Sequence, residues 1–311
     1  MAYEIFIDGA AGTTGLQVAQ RLAGRSDLHI TILPDEARKD VEARKAALAA
    51  ADIAILCLPD AAAIEAAALA SELPVRLIDA SSAHRVAPDW VYGFAELTKG
   101  QTEKIAQAKQ VSNPGCYPTG FLALTRPLIE AGILSKDAQL TVPAISGYSG
   151  GGKQMIEAFE AGNHPPHFAY GLGLSHKHVP EMQTHAQLKT PPIFMPSVGQ
   201  FAQGMLVHLP LHKHVLKNGT RLADILTVYE QHFANQPLIE VCSEWSDVPS
   251  TLAADALAGF DKLQIGIFAN ADDSHFWAVA RLDNLGKGAS GAAVQNLNIM
   301  LGLDPLTGLS Q

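Results

Sequence analysis

Residues 3–79 alternate short, continuously apolar runs with helical stretches, and this alternation restricts the fold more than any other feature. Tyr3 to Asp8, His29 to Leu33, Ile53 to Leu58 and Val75 to Asp79 read as strands. Between them, Gly12 to Ala23 carries apolar residues at helical spacing, and Val41 to Ala50 reads as a helix. Asp40 can cap that second helix, since its carboxylate accepts from N–H groups of the first turn. Pro59-Asp60 opens an alanine-rich helix that ends near Leu73. Strands that are apolar on both sides need cover on both faces, so the alternation predicts an α/β domain around a parallel sheet. After about residue 113 the pattern changes. Gln139–Ala144, Met205–Leu211, Leu238–Cys242, Gln264–Asn270 and Phe276–Asp283 alternate, and helices thin out, which predicts an α+β unit with helices on one face of a mixed or antiparallel sheet. A chain of 311 residues accommodates these two domains.

Gly9-Ala10-Ala11-Gly12-Thr13-Thr14-Gly15 follows the first strand and opens the first helix. Its spacing is one residue off the usual dinucleotide fingerprint, but the physics is the same. Gly9, Gly12 and Gly15 let the backbone turn and approach a pyrophosphate at the helix N-terminus, and Thr13 and Thr14 add hydroxyl donors. After the second strand comes Pro34-Asp35-Glu36-Ala37-Arg38-Lys39, where a lone acidic residue would favour NAD. Arg38 and Lys39 there favour the 2′-phosphate of NADP. The alternative for the glycine loop is a tight strand–helix turn that binds nothing, and for Arg38 and Lys39 a solvated helix start.

A net charge of −9 gives the chain no general attraction for nucleic acid or an anionic membrane. No run of about 18 apolar residues is present, and the N-terminus lacks a signal-peptide pattern. The cysteines are Cys57, Cys116 and Cys242, an odd and sparse set that points to a reducing compartment, the cytoplasm. Cys57 and Cys242 lie in apolar strands and read as small core hydrophobes. Cys116 has the opposite surroundings. Pro114-Gly115 forces a turn before it, and Pro118 suits the first turn of a helix that runs on to a stop at Gly132. A thiol at a helix N-terminus is stabilised as thiolate, and the same N–H groups can hold an oxyanion.

Ser112-Asn113-Pro114-Gly115-Cys116-Tyr117-Pro118-Thr119 resembles the nucleophile motif of the N-acetyl-gamma-glutamyl-phosphate reductases, in their shorter form, within the semialdehyde dehydrogenase superfamily. Asp79-Ala80-Ser81-Ser82-Ala83-His84-Arg85-Val86, Val91-Tyr92-Gly93-Phe94-Ala95-Glu96-Leu97, Ser146–Lys153 and Lys287–Asn296 resemble further family elements. His84 replaces an aromatic residue, and Ala292 stands where Gln is common. The resemblance implies a Rossmann-type domain over 1–113, with the C-terminal helix 286–311 packing back on it. It implies a semialdehyde-dehydrogenase-like catalytic and oligomerisation domain over 114–285. It implies an NADPH-dependent reduction of an acyl phosphate through a Cys116 thioester, with Asn113 or Gly115 near the oxyanion, and a homo-oligomer, dimer or tetramer. It carries substrate contacts to Arg85, Asn113, Ser146, Gly147, Lys153 and Glu181. Beyond the glycine loop and Arg38, it carries cofactor contacts to Pro59, Ser81, Lys287, Gly288 and Asn296.

Leu174-Ser175-His176-Lys177-His178-Val179-Pro180-Glu181 resembles the family's histidine element. In an extended segment His176 and His178 point the same way. Imidazole titrates near neutrality, and His178 is read as the acid–base with His176 orienting substrate. The spacing matches no compact zinc motif, so no metal is expected. His208, His212 and His214 are assigned no chemistry. The competing readings are an aspartate-semialdehyde-type dehydrogenase, a silent NADPH-binding regulator, and, more distantly, a metal hydrolase.

Overall fold

A computed structural model describes residues 2–242, 245 and 251–311. The chain forms β1 (Tyr3–Asp8), α1 (Thr13–Leu22), β2 (Leu28–Thr31), α2 (Val41–Ala50), β3 (Ile53–Leu56), α3 (Asp60–Leu69), β4 (Arg76–Asp79), β5 (Val91–Tyr92), α4 (Gln101–Gln107) and β6 (Gln110–Ser112). It continues through α5 (Cys116–Glu130), β7 (Thr141–Gly147), α6 (Lys153–Glu160), β8 (His167–Ala169), α7 (His178–Ala186), β9 (Ile193–Gly199) and β10 (Met205–His212). Then follow α8 (Leu222–His232), β11 (Ile239–Cys242), β12 (Leu263–Ala269), β13 (His275–Leu282) and α9 (Gly291–Leu301). Two compact units result. The first comprises Met1–Ala95, Gly100–Pro114 and Ala289–Leu309; the second comprises Glu96–Lys99, Gly115–Gly288 and Ser310–Gln311.

In the first unit all strands run parallel in the order β2-β1-β3-β4-β6-β5. The continuous apolar runs have a direct cause. Ile5, Ile7, Ile53, Ile55 and Ile78 pack with Val18, Leu22, Ile105, Val294 and Leu297 of α1, α4 and α9. The alternate residues Phe6, Ala54, Leu56 and Leu77 pack on the other side with Leu48 and Ala66 of α2 and α3. Both faces are covered, as parallel strands require. Asp40 caps α2, accepting from Ala43 N at 2.8 Å.

The second unit is built on a mixed sheet, ordered β11-β12-β13-β10-β7-β9-β8. Helix α5 lies on one face so closely that a Cβ on Gly120 would stand 2.7 Å from a Val207 methyl group. Tyr229 of α8 donates its hydroxyl to Leu124 O of α5 at 2.7 Å. The opposite face leaves Ile193, Met195, Phe268 and Trp277 exposed. Strands β8 and β9 and helices α6, α7 and α8 have no counterpart in the sequence reading. Pro143 in β7 and Pro196 in β9 are paired strand residues, and proline normally argues against an interior strand because it removes a ladder donor. The segment at His176–His178 is a helix start rather than an extended run, since Lys177 has helical φ −57 and ψ −18. Among the described residues, no helix is long and apolar enough to cross a membrane.

Candidate active site

At the end of β1 the chain turns at Gly9, whose φ is +90 and whose Cβ would stand 2.4 Å from Cys57 O. Only glycine fits that conformation and that approach. A Cβ on Gly15 would stand 2.5 Å from Gly9 O, so this glycine allows α1 to pack directly on the loop. Gly12 is the N-cap of α1 and offers no side-chain cap, leaving the first turn, with Thr13 and Thr14, to an external acceptor. A backbone cradle that a Cβ would fill, at a helix start without a side-chain cap, fits the pyrophosphate of a dinucleotide. Pro59 is the N-cap of α3. Arg38 has a half-exposed side chain 3.5 Å from Asp35, on a turn closed by bonds from Ala37 N and Arg38 N to Pro34 O at 2.9 and 3.0 Å.

Beneath the glycine turn the structure adds a pair with no sequence signal. Asp8 accepts from Nε and Nη2 of Arg44 at 3.0 and 2.9 Å, with both residues buried. Burial raises the Asp8 carboxyl above its ordinary range, opposed by the Arg44 guanidinium. Burial likewise pushes the Cys57 thiol up to about 12, helped by the carboxylates of Asp79 and Asp8. An unreactive thiol follows.

The C-terminal ends of β4 and β6 carry a polar network. Asp79 accepts from Ser81 N and Ser81 Oγ at 2.9 and 2.7 Å and lies 2.7 Å from His84 Nδ1. The His84 ring stacks on Trp90 at 4.1 Å, so a ring is kept where the family has an aromatic residue. Arg85 is only 9% exposed, and its Nε and Nη2 donate to Asn113 O and Ala80 O at 3.0 and 3.2 Å. Through these bonds the guanidinium ties the β4 exit to the β6 exit. Asn113 is also closed. Its Nδ2 donates to Ala289 O at 2.9 Å, and its Oδ1 accepts from Asn296 Nδ2 at 3.1 Å. Asn296 itself is fully buried and donates to Gly93 O at 2.9 Å.

Cys116 is the first residue of α5, half-buried, behind the extended N-cap Gly115. Pro118 occupies the third position of the helix, where a missing N–H breaks no helical bond. Glu181, on α7, accepts from Gly115 N at 2.8 Å and is buried, so it holds the turn before the cysteine. His178 opens α7 and is buried, and its ring lies edge-on to His176 at 4.7 Å. His176 Nδ1 accepts the backbone N–H of His178 at 3.1 Å, which places the His176 proton on Nε2. Tyr170, missed by the sequence reading, packs edge-on to His176 at 5.7 Å. Burial pushes its phenol up to about 12, with the Cys116 charge adding to the rise. Burial first, then Tyr170 and Cys116, also raise the Tyr117 phenol, whose hydroxyl donates to Ser197 O at 3.0 Å.

The remaining assignments divide. Ser146 is buried and donates to Gly147 O at 3.1 Å. Gly147 is a packing glycine, because a Cβ there would meet Ala202 O at 2.5 Å. Lys153 is exposed and lies 3.8 Å from Glu157. Lys287 is 1% exposed, and its Nζ donates to both carboxylate oxygens of Glu96 at 2.8 Å. Gly288 lies against the cysteine, for a Cβ there would stand 2.8 Å from Cys116 Cβ. Among the described residues, no group of three His, Cys, Asp or Glu is arranged to hold a metal ion.

Residues 116–284 match the family model described as semialdehyde dehydrogenase, dimerisation domain. Residues 4–108 match the semialdehyde dehydrogenase NAD binding domain. N-acetyl-gamma-glutamyl-phosphate reductases of Brucella ovis and Brucella anthropi are each 52% identical to this chain, covering 97% of it and 100% and 99% of their own lengths. Among solved structures, aspartate semialdehyde dehydrogenase II of Vibrio cholerae complexed with ASA superposes with a TM-score of 0.74 at 16% identity, over 97% of this chain and 99% of that one. The aspartate semialdehyde dehydrogenase of Francisella tularensis gives 0.73 at 14% identity, over 97% and 100%. At those identities the likeness shows the fold.

Proposed function

We propose that this chain, which belongs to the N-acetyl-gamma-glutamyl-phosphate reductases of the semialdehyde dehydrogenase superfamily, reduces N-acetyl-gamma-glutamyl phosphate to the 5-semialdehyde with release of phosphate, a step of arginine biosynthesis. The observation that carries the reading is the place of Cys116, the first residue of a glycine-capped helix whose preceding turn is pinned by Glu181. There the thiolate is favoured by the helix N-terminus, and the N–H groups of Cys116 and Tyr117 point along the helix start toward a developing oxyanion.

The Cys116 sulfur attacks the acyl carbon, the bond from that carbon to the phosphate oxygen breaks, and phosphate leaves with the electron pair, giving a thioester. Gly9, Gly12, Thr13, Thr14 and Gly15 would hold a dinucleotide, and the chemistry that group would supply is a hydride for the reduction. Collapse of the thiohemiacetal breaks the carbon–sulfur bond and returns the thiolate. His178 handles the proton on the substrate oxygen, and His176, with its proton on Nε2, donates a hydrogen bond that orients substrate. Arg38, whose nearest carboxylate stands at 3.5 Å, supports NADP over NAD by offering a cation to a 2′-phosphate. The outer face of the second sheet, with Ile193, Met195, Phe268 and Trp277 exposed, supports self-association of the chain. Three cysteines outside any disulfide support a cytoplasmic setting.

The test is a substrate panel run in the oxidative direction with phosphate and either NADP or NAD. N-acetylglutamate semialdehyde with NADP is the expected pair; preference for aspartate semialdehyde would overturn the substrate. Cys116→Ser should lower turnover by at least about 10³-fold while NADPH binding stays unchanged. Retention of turnover in that variant sinks the thioester.

A further inference from the structure

We propose that the buried Glu96–Lys287 ion pair positions the Cys116 thiol, acting through the backbone of Gly288. The inference rests on the reading of Cys116 as nucleophile. Lys287 and Gly288 belong to the π-helical turn Gly286–Ser290, an element whose extra residue re-aims the backbone. Gly288 meets the cysteine side chain directly: a Cβ at 288 would stand 2.8 Å from Cys116 Cβ and 3.2 Å from Cys116 Cα. Any drift of residue 288 therefore moves the surface on which the thiol rests.

The entry to this turn is fixed by main-chain and side-chain bonds. Gly288 N donates to Asp283 O at 2.9 Å, the Asp283 carboxylate takes Leu285 N and Gly259 N at 2.9 and 2.7 Å, and Asn284 Oδ1 takes Gly204 N at 2.9 Å. The side chain of Lys287 supplies a further anchor. Its Nζ lies 2.8 Å from each oxygen of Glu96, with relative exposures of 1% and 2% for the two residues. A dry ion pair is a poor source of stability, because desolvation of both charges offsets their attraction, and neutral groups of similar volume often serve as well. What the pair supplies is direction: two short bonds in a fixed fork place the Lys287 backbone, and Gly288 with it. A purely apolar anchor of the same volume would fill the space without that constraint.

The experiment compares Lys287→Met, Glu96→Gln, the double variant and Gly288→Ala in the full chain. The readouts are kcat, KM, NADPH affinity, melting temperature and the rate of Cys116 alkylation by iodoacetamide. Each single pair variant is expected to lower the melting temperature and to lower kcat by about 10²-fold, the scale of a misplaced catalytic group, with KM and NADPH affinity held within a few-fold. The double variant, free of an uncompensated buried charge, should recover the melting temperature yet keep the low kcat and the altered alkylation rate. Gly288→Ala, which presses a methyl group on the cysteine, should lower kcat in the same way. Recovery of kcat together with stability in the double variant would show a merely structural clamp and overturn the proposal, as would a wild-type kcat in Gly288→Ala. Turnover retained by Cys116→Ser is a separate result, and it removes the nucleophile rather than its support.

Discussion

The two sheets of this chain solve the burial problem differently, and the difference locates their functions. The parallel sheet hides Phe6 among Leu48, Leu56 and Leu77 on one face and Ile5 and Ile7 on the other, so its faces are core and its chemistry is confined to the ends of its strands. The mixed sheet buries the face under α5 and α8 and leaves Trp277 42% exposed on the other. Its second face is a surface available to a partner. The helix starts differ in parallel fashion. Gly12 caps α1 with no side chain answering its first turn, whereas the turn at Gly115 before α5 is answered by the carboxylate of Glu181. One start is left to an external anion; the other is held rigid by the protein so that a thiol can stand on it.

Removing one large aromatic side chain from each sheet tests the first contrast most severely. Phe6→Ala should destabilise the first unit by about 3–5 kcal/mol, read by chemical denaturation. Trp277→Ala should change the stability of the separated chain by less than about 1 kcal/mol and instead weaken self-association, read by sedimentation. Equal stability losses would mean that the outer face is core, and the contrast would fail.

Glu181 tests the second contrast at a smaller scale. Glu181→Ala leaves the buried Gly115 N–H unanswered and should cost about 1–3 kcal/mol. Glu181→Gln keeps an acceptor for that N–H but removes a negative charge near the cysteine. Alkylation of Cys116 should then set in at lower pH, since loss of a like charge favours the thiolate. A shift to higher pH would mean that the carboxylate is not facing the sulfur as a like charge.

Much of this arrangement was legible because its signals are local. Asp40 before Val41 announced a cap, the glycine loop followed a strand by one residue, and Pro118 marked a first turn beginning at Cys116. Pro180 carries the same mark: it is the third residue of α7, with Glu181 beside it in the first turn, yet the histidine element was read as extended. What stayed hidden is pairwise and distant in sequence. Arg44 with Asp8, Lys287 with Glu96, and Asn296 with Asn113 each join residues whose neighbours in the chain say nothing of the partner. The same blindness extends to Arg85, Asn113, Glu181, Lys287 and Asn296, polar residues that a catalytic motif suggests as ligands: each also makes bonds within the fold that no local signal announces.

The smallest effect concerns the outer face of the second sheet and its response to pH. His208 of β10 accepts at Nδ1 from the Trp277 indole N–H at 3.1 Å, and burial lowers the pKa of its imidazole below the ordinary value. The unfolded chain then binds the proton more readily than the folded one. Stability is thus complete above the ordinary imidazole range, near about 6.5, and is lost as the pH falls through that value toward the lowered one. His232, lowered first by burial and opposed by Glu130, acts in the same direction. Glu130, whose pKa is lowered by its bonds to Thr98 and Arg126 against the opposing effect of burial, contributes in a separate window below the carboxylate range. Denaturation midpoints measured at pH 7.5 and 5.5 therefore isolate the histidines. His208→Gln should reduce the drop between those two conditions by less than about 1 kcal/mol, because solvent reaches the ring and screens it. An unchanged drop would mean that His208 takes no part in the pH response and that its contact with Trp277 does not matter to it.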